Sequence, residues 1–173
     1  PFRENNYEPE LILMLPHYKN YEEAASRIIS LSLSHQSNGR AGELSRSWNR
    51  LKLSWVTSIG NVFINFEPWY RFKEQRKDTP EDPEGDDNPD ITEYMGWFEL
   101  SAAYKQENAT WRLMLRNNLR SDNKGAVRLS YSSPFNQHIR LYVELFNGYG
   151  ECLIDYDRSV TRLGIGFELN DIL

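Results

Sequence analysis

A chain of 173 residues has the length of one domain. Its formal net charge of -5 argues against nucleic-acid binding, its one cysteine (Cys152) excludes an internal disulfide, and no run approaches the roughly 18 apolar residues of a membrane helix. The low mean hydropathy of -0.68 leaves a membrane β-barrel open, because barrel strands are only half apolar, and the 10 tyrosines and 5 tryptophans would suit interfacial girdles as well as an aromatic-rich soluble β-protein.

The opening Pro1-Phe2-Arg3-Glu4 reads like the middle of a domain, so residues are expected ahead of it. Tyr7 to Leu15 alternates loosely, with Pro9 and Pro16 at strand edges. Tyr18 to Glu23 reads as a turn. Ala24 to His35 is the second strand, and Gln36 to Arg46 is a polar loop in which Gly39 and Gly42 are free to take unusual backbone angles. Ser47 to Ser58 is the third strand and Gly60-Asn61 a tight turn. In the fourth strand Val62, Ile64, Phe66, Pro68 and Tyr70 lie opposite Asn65, Glu67 and Arg71.

Residues 74–90 differ in kind. This acidic, proline-rich run has no period and reads as a long exposed loop whose carboxylates match no EF-hand spacing. Alternation then resumes. Tyr94, Gly96, Phe98, Leu100, Ala102 and Tyr104 share a face, as do Trp111, Leu113, Leu115 and Leu119; Val127, Leu129 and Tyr131; and Ile139, Leu141, Val143 and Leu145. The clearest strand is the last, where Thr161, Leu163, Ile165, Phe167 and Leu169 alternate with Arg162, Gly164, Gly166, Glu168 and Asn170. The reading is all-β, a single antiparallel up-and-down domain over residues 1–173 with about nine strands and no competing helix. A closed bacterial barrel normally has an even number, so strands are expected to precede these.

Within this pattern one short stretch carries chemistry. His35 and Ser37, two residues apart, lie on the same side of an extended strand, in phase with Leu33, Leu31 and Ile29. On the next strand Asn49 is in phase with Leu51, Leu53 and Trp55, opposite Arg50, Lys52 and Ser54. The same apolar face is chosen twice, which can line up a nucleophile, its base and a group that orients the base. In a soluble sandwich or barrel that face is buried; in a membrane barrel it looks at lipid and the polar face fills the interior. His17 and His138 have no matching serine.

Together the segments His35-Gln36-Ser37-Asn38-Gly39-Arg40, Ser45-Arg46-Ser47-Trp48-Asn49-Arg50, Asp86-Asp87-Asn88-Pro89-Asp90-Ile91 and Gly148-Tyr149-Gly150-Glu151, with Leu153-Ile154-Asp155-Tyr156, closely resemble the outer membrane phospholipase A family of Gram-negative bacteria. The resemblance runs from Pro1 to the Leu169-Asn170-Asp171 end. It implies a twelve-stranded antiparallel transmembrane β-barrel in the outer membrane, of which this chain lacks the first three or so strands.

The resemblance also implies roles. Ser37 is then the nucleophile, His35 the base, Asn49 the orienting residue and Gly39 an N–H donor to the oxyanion. Calcium is the expected cofactor, held by the Arg40 carbonyl and the Ser45 hydroxyl, with a serine of a second copy completing the site in the active homodimer. A second, weaker calcium site falls at Gly42 and Asp87, where Gly42 has no carboxylate to offer. The expected substrates are membrane phospholipids and lysophospholipids, cleaved at their acyl esters. Two other readings compete: an inactive structural or channel barrel, and a soluble β-sandwich hydrolase with its apolar face inside.

Overall fold

The computed structural model describes residues 4–16, 27–79, 81–82 and 84–169. Among the described residues nine antiparallel strands follow one another in chain order: β1 (Glu10–Pro16), β2 (Arg27–Ser37), β3 (Ser47–Ile59), β4 (Val62–Phe72), β5 (Phe98–Gln106), β6 (Ala109–Asn117), β7 (Gly125–Pro134), β8 (Arg140–Gly148) and β9 (Val160–Glu168). Each is hydrogen-bonded to its sequence neighbour, so the sheet order is β1 to β9 without a crossover. This is the up-and-down meander that the alternation predicts. Among the described residues β1 and β9 are the two edges. The expected turn at Tyr18 to Glu23, the first residues assigned to the second strand, His17 and the Asn170-Asp171 end lie outside the described residues.

Which way the faces point decides between a membrane wall and a water-soluble core. On β2 and β3 the apolar phase is open: Leu31 is 40% exposed, Leu33 50%, Leu53 45% and Trp55 46%. The polar phase is closed: Ser32 and Ser34 are buried, and so are Arg50 and Lys52. A water-soluble sandwich would show the reverse, so the structure removes that alternative. The distal strands repeat the pattern, with Leu163, Ile165 and Phe167 exposed on β9.

Charges of both signs on the inner face neutralise one another. Glu8, ahead of β1, lies 2.6 Å from the Arg50 guanidinium and accepts from Ser34, while Glu10 lies 2.7 Å from Lys52 Nζ and accepts from Ser32. Glu144 pairs with Arg162, and Glu168 with Arg112. An isolated charge here would carry a large desolvation cost, which pairing offsets.

At the end of the sheet that carries the longer loops the inner face changes character. Trp48 of β3 and Trp69 of β4 are apolar residues at buried polar-phase positions, packed edge to face with ring centres 6.1 Å apart. Ile91, Met95, Leu153 and Tyr156 complete the cluster. The first two belong to a short helix, α1 (Ile91–Met95), which the alternation does not foresee. Tyr94 and Gly96, assigned by sequence to a strand face, instead lie in α1 and at its end, and β5 begins only at Phe98. Gly96 takes φ +73°, and a Cβ there would stand 2.1 Å from the Asn117 carbonyl oxygen, so the helix can end this tightly only on glycine. The acidic loop also departs from its expected solvation. Its final residues are packed: Asp86 and Asn88 are buried, and Arg71 of β4 reaches Asp86 Oδ1 at 2.5 Å and the Asn88 carbonyl at 3.1 Å.

Candidate active site

The β2–β3 register pairs His35 with Asn49 and Ser37 with Ser47. Opposed residues of an antiparallel pair share a face, so the imidazole and the amide meet directly. His35 Nδ1 lies 2.8 Å from Asn49 Oδ1. Ser37 follows on the same outward phase, and its backbone is held from the other side by Tyr7, whose N–H donates to the Ser37 carbonyl at 2.8 Å and whose carbonyl accepts from the Ser37 N–H at 2.9 Å. The His35 N–H is likewise tied to the Pro9 carbonyl. The backbone beneath the histidine and the serine is therefore fixed from two sides.

The loop between the two strands is organised by Asn38, which is buried at 2% exposure. Its Nδ2 donates to the Leu44 carbonyl at 2.8 Å, while its Oδ1 accepts from the N–H groups of Arg40 and Arg46. A short polar side chain has taken over the bonds a regular turn would make. Gly39 and Gly42 adopt φ +63° and +64°, as the sequence suggests. Gly39 cannot be replaced quietly: a Cβ would come 2.8 Å from the Tyr7 ring. Sequence reading passes over Asn38, although the Asn-Gly dipeptide is the signal that could have found it.

Residues 86–89 close on the same loop. The Ser47 N–H donates to Asn88 Oδ1 at 3.0 Å, and the hydroxyls of Ser45 and Ser47 donate to Asp87 Oδ2 at 2.8 and 2.9 Å. Asp87 Oδ1 lies 2.6 Å from Lys77 Nζ. Burial pushes the Asp87 carboxyl up, but the hydrogen bonds from Lys77, Ser45 and Ser47 outweigh it and hold the group below the usual carboxylate range. Among the described residues no group of three or more His, Cys, Asp or Glu side chains could hold a metal ion. The donors singled out for calcium are the neutral oxygens of Arg40 and Ser45, hard ligands of the type calcium takes. The Ser45 hydroxyl gives its proton to the Asp87 hydrogen bond, which leaves its oxygen lone pairs for another partner. Asp87 sits behind Ser45, with Lys77 as its own counter-charge.

On its outward side the line opens onto a groove of about 530 Å³ lined by Pro9, Leu11, Leu33, His35, Asn49 and Phe72. An imidazole at the edge of an apolar trough suits a substrate with one polar and one hydrocarbon part. One further side chain enters the line. Glu74, just past β4, accepts from Asn49 Nδ2 at 2.7 Å.

Residues 1–169 match the family model described as Phospholipase A1. The chain belongs to the phospholipase A1 family. It is 40% identical to the phospholipase A1 of Salmonella typhimurium over 173 residues, which is 99% of this chain and 56% of that protein. It is 38% identical to that of Escherichia coli K12, again over 99% and 56%. The chain thus spans about half the length of these curated relatives. Among solved structures, the outer membrane phospholipase A of Escherichia coli superposes with a TM-score of 0.84 at 38% identity, over 100% of this chain and 63% of that one. The Salmonella typhi outer membrane phospholipase, described as a dimer with bound calcium, gives a TM-score of 0.83 at 37% identity over the same shares. A third, an active-site mutant of the Escherichia coli protein with an asparagine replaced by alanine, also gives 0.83. The nine-stranded sheet is accordingly a stretch of the family's barrel wall, and its place is the bacterial outer membrane.

Proposed function

We propose that the barrel containing this chain is a calcium-dependent phospholipase that hydrolyses acyl esters of phospholipids and lysophospholipids at its lipid-facing wall. The observation that carries this reading is the 2.8 Å contact between His35 Nδ1 and Asn49 Oδ1, made on the exposed apolar face two residues from Ser37. Asn49 Oδ1 accepts a hydrogen bond from the His35 Nδ1–H, which leaves the Nε2 lone pair as the base. Ser37 Oγ gives its proton to Nε2 as it bonds to the ester carbonyl carbon, and the carbonyl oxygen takes the negative charge. The Gly39 N–H is the protein donor to that oxyanion; one such donor typically contributes on the order of 2.7 to 4 kcal/mol. Collapse breaks the ester C–O bond, and His35 returns the proton to the departing alcohol. Water then attacks the acyl-serine by the same route and releases the fatty acid.

The Arg40 carbonyl and Ser45 Oγ are the groups that would hold calcium, which when bound lends Lewis-acid stabilisation to the developing charge. Phospholipid reaches the site by lateral diffusion, with its chains along Leu33, Leu31, Leu51 and Leu53. The relative described as a calcium-bound dimer supports a homodimer as the active form, and the alanine mutant of an active-site asparagine supports the part given to Asn49. The test is hydrolysis of a short-chain phospholipid in detergent micelles by the full-length protein, with calcium or with EDTA, beside Ser37→Ala. Activity requiring both calcium and Ser37 is expected. A folded barrel that shows none would hand the site to the structural or channel reading.

A further inference from the structure

We propose that Glu74 is a positioning residue of the hydrolytic line, fixing the Asn49 amide and supplying the negative charge an asparagine lacks. The inference rests on the phospholipase reading for its consequence in catalysis, but its geometry is independent of it. An asparagine side chain has two nearly superposable orientations, and only one serves the histidine. With Oδ1 toward His35 the imidazole is held protonated at Nδ1, and Nε2 is the base; with the amide nitrogen there, Nδ1 would be the acceptor and the proton would sit on Nε2.

A carboxylate removes the choice. Glu74 can only accept, so the Asn49 nitrogen must face it, and at 2.7 Å it does. The amide oxygen then falls to His35 at 2.8 Å. The three groups form a continuous chain of polarised bonds, Glu74 to Asn49 to His35, in which the carboxylate draws the amide N–H and leaves the amide oxygen a stronger acceptor. In a serine triad with an aspartate, the acid both orients the imidazole and stabilises its positive form. Here the two tasks are divided: Asn49 touches the ring and Glu74 brings the charge one residue further back.

Local geometry explains why this residue arrives there. Phe72, the last residue of β4, pairs with Asn49 and points outward with it. Continuing the strand's period of two puts residue 74 on the same side, one step beyond the paired position. The acidic loop that begins here therefore contributes its first carboxylate to the outer face.

The experiment uses the full-length protein in detergent micelles with calcium, and a cycle of Glu74→Ala, Glu74→Gln and Asn49→Ala. Glu74→Ala is expected to lower kcat about tenfold with KM unchanged, the size of one charge-assisted hydrogen bond. Glu74→Gln, which keeps an accepting oxygen without the charge, should recover part of the loss. In the Asn49→Ala background the Glu74 substitution should cost nothing further, because the amide that transmits it is gone. Nitrogen NMR of His35 should report an Nδ1-protonated ring in the parent and a mixture of tautomers in Glu74→Ala. Equal losses in both backgrounds, or an unchanged tautomer, would overturn the proposal. An inactive parent with the expected tautomer shift would sink the phospholipase reading while upholding the role of Glu74.

Discussion

The outward and inward faces of β2 and β3 are built from alternate residues of the same strands, yet they are held in different ways. Outward, His35 and Asn49 lie in an exposed apolar wall, tied to each other and to one carboxylate. Inward, Trp48 and Arg50 on either side of Asn49 are buried, the guanidinium 4.0 Å from the indole and 2.6 Å from Glu8. The outer groups have few partners. The inner groups are buried, and their charges are paired with opposite charges. The loop after β4 serves both, sending Glu74 outward and Asp86 and Asn88 inward.

Separate perturbations should pull the two faces apart. The largest effect belongs to the outer face: Ser37→Ala should reduce ester hydrolysis by at least about 10⁴-fold, since loss of a nucleophile removes nearly the whole triad contribution, while urea unfolding in micelles stays at the parent midpoint. Next is the inner face. Asp86→Ala leaves the buried Arg71 guanidinium without its carboxylate and should cost about 3–5 kcal/mol of stability in the same unfolding assay. Activity falls only as the loop lets go. Leu31→Arg puts a charge on the lipid side and should cost about 2–4 kcal/mol on refolding into bilayers; a variant that inserts as well as the parent would contradict the outward assignment. The smallest effect is a pH dependence. Because Asp87 is held below the usual carboxylate range, its contribution is complete above the unfolded value near pH 4 and disappears as the pH falls through the lower folded value. Asp87→Asn should therefore cost about 1 kcal/mol at neutral pH, and the gap to the parent should close in acid.

The parts of this division that follow strict period-two alternation could be read from the residues. Strand order, the apolar phase of Leu31 and Leu33, and the shared side of His35, Ser37 and Asn49 all follow from it. The residues that escape are those whose place depends on where a loop lands. Trp48 and Trp69 sit in the polar phase, and only the arrival of Ile91, Met95, Leu153 and Tyr156 makes that position apolar. Residues 91–95 are too few for a helical period to stand out. Lys77 lies in a stretch without any period, and its partner becomes visible only once the loop is folded; Glu74 lies just past the last paired residue of β4, where the sequence alone does not show that the strand's direction continues. Asn38 is the intermediate case, foreshadowed by Asn-Gly but with bonds that no pattern specifies.

The aromatic cluster at the loop end decides what the inner face presents there. With Trp48 at 1% and Ile91 at 0% exposure, side chains fill that end of the inner face. Among the described residues that end presents packed indole and aliphatic surface, and behind it the paired charges of Glu8, Glu10, Arg50 and Lys52. The same strands thus close one face with their own side chains and leave the other open to the lipid.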